Sequence, residues 1–81
     1  MIRDNVRDIR EAKGITGSHV AEKIGFTPQG YRHIEKGNSR LQAETLKSIA
    51  VVLEEPVSVF FDREQTESVL QRIGGEVKCT K

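Results

Sequence analysis

Apolar residues return every three or four positions along most of this 81-residue chain, and glycine or proline interrupts them at short intervals. That rhythm predicts a series of short amphipathic helices. Ile2, Val6 and Ile9 set a first helix from about Ile2 to Lys13, closed by Gly14 as a C-terminal cap. Val20, Ala21 and Ile24 set a second from about Gly17, with Thr16 as its N-cap and Gly25 as its stop. A third begins at Thr27, a good N-cap, with Pro28 at the first helical position. Its Tyr31 and Ile34 face inward and Gly37 ends it. Beyond the polar loop Asn38-Ser39-Arg40, the residues Leu46, Ile49, Ala50 and Leu53 mark a fourth helix over about Ala43 to Leu53. Pro56 opens a short fifth through Val57, Val59, Phe60 and Phe61. Strand signals are weak before residue 75, so the expected fold is all-α with short connections.

The pattern changes after residue 61. Val69, Leu70 and Ile73 still recur at helical spacing, Gly74-Gly75 breaks the run, and Glu76 to Thr80 reads as a short strand or as no element. The chain therefore divides into a domain over 1–61 and an extension over 62–81. An apolar stripe beyond a complete core fits a dimerisation contact through Val69, Leu70 and Ile73, or a further protein partner, and equally a frayed end.

Composition narrows the classes. Cys79 is the only cysteine, which excludes an internal disulfide and a cysteine-based zinc site. No apolar run approaches the roughly 20 residues that span a bilayer, and no signal region follows Met1, so a cytoplasmic protein without a membrane partner is expected. Catalysis lacks its ingredients: there is no Gly-rich phosphate loop and no nucleophile beside a base, and His19 and His33 lie in different helices. No enzyme activity, cofactor or metal is expected. The net charge of +1 hides an asymmetry: residues 1–40 carry eight Lys/Arg against five Asp/Glu, and residues 41–81 carry five against seven. The basic excess lies in the half that holds the second and third helices.

Those two helices are joined by Gly25-Phe26-Thr27, a turn too short for an antiparallel pair. They must cross at a large angle, as in a helix-turn-helix, where the second helix enters the major groove. With Tyr31 and Ile34 turned inward, Pro28, Gln29, Arg32, His33 and Lys36 occupy the other face of the third helix. Gln29 suits adenine, Arg32 suits guanine and His33 can donate or accept at a base edge, whereas Pro28 offers only contact with a thymine methyl. A solvated polar face is the alternative. Phosphate contacts are expected at the helix N-termini, from Thr16, Gly17, Ser18 and Thr27, and from the loop Lys36, Asn38, Ser39 and Arg40.

The runs Lys13-Gly14-Ile15-Thr16, Val20 to Thr27 and Ile34-Glu35-Lys36-Gly37, with Glu44-Thr45-Leu46, Ile49-Ala50, Leu53, Val57 and Phe60-Phe61, resemble the phage-repressor (Cro/C1, or Xre) family of helix-turn-helix regulators. The resemblance covers about residues 3 to 61. It implies a five-helix, lambda-repressor-like domain that binds a double-stranded DNA operator, usually as a homodimer, and regulates transcription as a repressor. It implies base contacts at Pro28, Gln29, Arg32 and His33, and backbone contact through the loop after the third helix. It also implies an ion pair between Arg10 and Glu35, which could hold Arg10 near a phosphate. A restriction-modification controller, an antitoxin or a protein-interaction adaptor would use the same fold. Three positions depart from the family pattern. Gly17 stands where a DNA-reaching Gln is usual, Glu54-Glu55-Pro56 replaces a glycine-containing link and predicts altered geometry there, and Leu41-Gln42 weakens the cap of the fourth helix.

Overall fold

The computed structural model describes residues 2–79, with side chains through residue 74. The elements are α1 (Ile2–Ala12), α2 (Gly17–Ile24), α3 (Pro28–Lys36), α4 (Ala43–Leu53), a 3-10 turn (Val57–Phe61) and α5 (Arg63–Cys79), with no strand among the described residues. The five short segments of the periodic pattern are therefore present, but the fifth is the 3-10 turn and the fifth α-helix is the tail.

Local chemistry explains the boundaries. Thr16 is extended and its hydroxyl accepts from the His19 amide, and Thr27 does the same for Gly30. Gly25 (φ 83°) and Gly37 (φ 86°) end α2 and α3 in the left-handed region, which a side chain at either position would strain. Gln42 precedes α4 without a side-chain cap, as Leu41-Gln42 implied. The link after α4 closes the helix without a glycine. Glu54 itself takes the left-handed conformation (φ 60°), and its amide closes on Ala50 and Val51. A residue with a Cβ thus does the work of a glycine, at about 1 kcal/mol of strain.

The core draws on every element. Ile9, Val20, Ala21, Leu53 and Phe60 are wholly buried, and Tyr31 and Ile49 nearly so. Val69 belongs to the same cluster, with Leu70 and Ile73 packed against it. This corrects the reading of the tail. Val69 is closed off inside the chain, so it offers nothing to a second subunit, and the division at residue 61 runs through one core. The physical reason is that the 3-10 turn leaves Val59 and Phe60 to be covered, and α5 covers them by packing on α1 and the turn. Nor does Gly74-Gly75 stop the helix, which runs to Cys79 where a break, and after it a short strand or no element, was expected. Glycine costs a helix interior about 1 kcal/mol without blocking its dihedrals. Thr80 lies outside the described residues.

Polar bonds fasten α5 in place. Asn5 is buried, donates to the Phe60 carbonyl at 2.9 Å and accepts from Arg63 at 2.8 Å. The buried Thr66 hydroxyl donates to the Val59 carbonyl at 2.7 Å. Glu55, whose side chain is 6% exposed, accepts from Lys13 at 2.8 Å and from Arg72 at 3.0 Å, tying the end of α1 to α5.

Candidate nucleic-acid interface

The right crossing of α2 and α3 needs a close approach, and Ala21 supplies it with a wholly buried methyl. After Gly25 the Phe26 amide returns to the Ala21 carbonyl at 2.8 Å, which sets the turn. α3 then points its Pro28, Gln29 and Arg32 outward, keeps His33 half-buried and commits Tyr31 and Ile34 to the core. Gly30, between Gln29 and Tyr31, has no room for a side chain without a shift: a Cβ there would lie 3.0 Å from the Thr27 hydroxyl.

Arg10 fixes α3 against α1. Its Nε donates to one Glu35 oxygen at 2.7 Å and its Nη2 to the other at 3.0 Å, while Nη1 donates to the Ile15 carbonyl at 2.8 Å. All three arms of the guanidinium are engaged, and only 13% and 11% of the two side chains are exposed. The bidentate fork holds the angle as well as the distance. The Glu35 hydrogen bond raises the Arg10 pKa against the opposing effect of burial. With its donors in use, Arg10 acts as a brace for α3.

Arg3 braces the other end, a role that sequence reasoning missed. Its Nε donates to the Ile34 carbonyl at 2.9 Å and its Nη2 to the Ser39 carbonyl at 3.1 Å, holding the last turn of α3 to the loop after it. An acceptor that is a backbone carbonyl more than thirty residues away leaves no residue-type signal. The amides of that loop are engaged within the chain. Those of Asn38 and Ser39 both return to the His33 carbonyl, at 2.8 and 3.3 Å, and that of Gly37 to Ile34 at 3.1 Å. They close the end of α3, so any phosphate contact from Asn38 and Ser39 falls to their side chains. Ser39 and Arg40 line a groove of about 290 Å³ that also includes Gly30 and Phe26.

The helix N-termini are unequal. Pro28 has no amide hydrogen and the Gly30 amide is capped by Thr27, which leaves Gln29 as the open donor of α3. On α2 the amides of Gly17 and Ser18 have no acceptor among the described residues.

Charge pairing separates the two halves. Beyond residue 40, each described cation has a carboxylate within 4 Å: Lys47 with Glu44, Arg63 with Asp8 and Glu67, Arg72 with Glu55. Among the described residues up to Arg40, the guanidinium of Arg3 meets only carbonyls, and Lys23, Arg32, Lys36 and Arg40 form no ion pair. The uncompensated positive charge therefore sits on α2, α3 and the flanks of α3. No group of His, Cys, Asp and Glu that could hold a metal occurs among the described residues, and none of their helices is long and apolar enough to cross a membrane.

Comparison with known proteins agrees with this arrangement. A helix-turn-helix family model matches residues 6–60. Proteins named as uncharacterized HTH-type transcriptional regulators of Sinorhizobium medicae (strain WSM419) and Rhizobium meliloti (strain 1021) are each 33% identical over 61 residues, covering 75% of this chain and 44% of theirs. YqaE of Bacillus subtilis (strain 168), named in the same way, is 28% identical over 71 residues, covering 88% of this chain and 61% of its own. The chain thus spans less than half the length of the first two relatives. No solved structure matches the chain significantly.

Proposed function

We propose a specific role for this chain on one premise: it belongs to the Cro/C1-type helix-turn-helix family of DNA-binding transcriptional regulators, a family of regulators and not of enzymes. The role is that of a repressor that binds a double-stranded operator as a homodimer, in the cytoplasm. The observation that carries it is the coincidence of an outward α3 face with the cations that lack carboxylate partners. A polyanion supplies the missing counter-charge, and release of its condensed ions drives binding.

Within this reading, Gln29 and His33 meet base edges, with Pro28 against a thymine methyl and Arg32 beside them. Thr16, Gly17, Ser18, Thr27, Lys36, Asn38, Ser39 and Arg40 meet the backbone. Arg10 and Glu35 orient α3 and do not touch bases. A single small module binds weakly, so two copies with α3 helices about 34 Å apart, one helical turn, supply the affinity. Val69 is closed to that contact. Phe61, 61% exposed beside the buried Phe60, is the apolar side chain that this proposal gives to the dimer, together with the partly buried Leu70 and Ile73.

Titration of a random duplex across several salt concentrations tests the DNA reading. Retardation that weakens steeply with salt supports it, and binding indifferent to salt, or none, refutes it. Sedimentation on a selected operator tests the dimer: two chains per site are expected, and one chain per site at high concentration contradicts it.

A further inference from the structure

Arg3 belongs to the first turn of α1, yet its guanidinium ends at the loop after α3. We propose that Arg3 is a positioning residue for DNA binding: it locks the peptide between Ser39 and Arg40, so that Arg40 is presented to the DNA backbone in one fixed direction. Arg3 itself touches neither base nor phosphate. The proposal rests on the DNA reading above and adds to it a residue outside the two helices of the motif.

The loop is anchored at both ends and open in the middle. Gly37 closes α3 in the left-handed region, and Leu41 packs against the core. Between them Asn38, Ser39 and Arg40 are exposed. The Asn38 and Ser39 amides tie only to the end of α3, at the His33 carbonyl. Among the described residues, the one hydrogen bond that reaches this stretch from outside α3 and the loop runs from Arg3 Nη2 to the Ser39 carbonyl, at 3.1 Å.

That acceptor decides what the bond controls. The Ser39 carbonyl lies in the planar peptide that ends at the Arg40 nitrogen, so holding the oxygen fixes the plane from which the Arg40 Cα departs. A second bond makes the hold directional. Arg3 Nε meets the Ile34 carbonyl at 2.9 Å, and two bonds from one planar fork fix its orientation. The stem is packed as well. It lines a gap of about 10 Å³ with Val6, Ile34, Leu41 and Ile49, and a Cβ at Gly37 would stand 3.9 Å from its Cδ.

The choice of acceptors suits a site that must stay basic. Arg3 is held by backbone carbonyls at the negative end of α3, where a cation is favoured. A carboxylate in their place would compete with phosphate for Lys36 and Arg40, neither of which forms an ion pair. Capping of α3 is the simpler role for such a bond. Capping alone would change the stability of the chain and leave the binding of the folded chain untouched.

The test compares Arg3→Ala, Arg3→Lys, Arg40→Ala and the double alanine variant on the selected operator, below the melting temperature of each. The operator is also made with one neutral methylphosphonate at a time. The phosphate that Arg40 meets is the position where this substitution weakens the wild-type chain but not Arg40→Ala. Arg3→Ala should bind about tenfold more weakly, with unchanged base preference, and should be insensitive to the same methylphosphonate. The salt slope should flatten by about one unit in each alanine variant and by no more in the double, which should bind no worse than Arg40→Ala. Lysine keeps the charge but has one nitrogen on a flexible stem, so Arg3→Lys should bind closer to Arg3→Ala than to wild type. It carries the same test where Arg3→Ala does not fold. Wild-type affinity in folded Arg3→Ala would leave capping alone, and wild-type affinity in Arg3→Lys would make Arg3 a simple charge; either overturns the proposal. So would losses that add fully in the double variant. If Arg40→Ala binds like wild type, or the wild-type chain shows no salt-dependent retardation, the DNA reading beneath the proposal fails instead.

Discussion

Along the seam between α1 and α5, Arg63 meets Asp8 at 3.0 Å and Asn5 at 2.8 Å, and Glu55 takes both Lys13 and Arg72. On the outer side of α3, Arg32 and Lys36 meet no carboxylate. In the seam, charges and carbonyl acceptors satisfy one another and fasten the helix that completes the core. At α3, the braces Arg3 and Arg10 reach across from α1 to Glu35 and to backbone carbonyls, and Arg32 and Lys36 are left without a carboxylate partner. Positive charge is neutralised where it serves folding and left open where a polyanion would bind.

The comparison breaks first if α5 is dispensable. A chain ending after residue 61 loses Thr66 and Val69 and uncovers the wholly buried Phe60. In a domain this small that loss should abolish cooperative unfolding, visible as a flat denaturation curve. A sharp two-state transition in the short chain would restore the boundary at residue 61.

The next largest effect concerns the brace. Arg10→Ala strands the Glu35 carboxylate in a site where 11% of its side chain is exposed, and should cost about 3 kcal/mol in urea unfolding. The matching change in the seam, Arg63→Ala, removes a guanidinium whose side chain is 46% exposed, so its cost should be clearly smaller than that of Arg10→Ala. Equal costs would erase the distinction between a brace and a surface fastening.

The smallest effect tests the strained link. Glu54→Gly relieves a φ of 60° and should raise stability by about 0.5–1 kcal/mol, read as a small rise in melting temperature. A loss of stability would mean that the Glu54 side chain contributes something its exposed position does not reveal.

The first four helices were legible because their punctuation is local. Thr16, Gly25, Thr27, Pro28 and Gly37 each act within a few residues of their own position. The beginning of α5 carried a similar mark that went unread. The Asp62 carboxylate accepts from the Glu64 amide at 2.9 Å and from the Gln65 side chain at 3.3 Å, an acidic N-cap with Gln three residues on. Asn5, Thr66 and Arg3 were not legible, because their partners are distant carbonyls that any residue could supply. The same holds for the interface. The residues on the outer face of α3 follow from helical period, but which amides remain open depends on hydrogen bonds that only the folded chain displays. Hence Gly17, which stands where a DNA-reaching Gln is usual, lies at the more open helix N-terminus.

The most direct test sets the two regions against each other on DNA. The salt dependence of operator binding would be measured for the wild-type chain, for Lys36→Ala and Arg40→Ala from the unpaired set, and for Arg63→Ala and Lys47→Ala from the paired set. The slope of log K against log salt should flatten by about one unit in each unpaired variant and stay unchanged in each paired one. Equal flattening in both sets would contradict the claim that unpaired charge marks the interface.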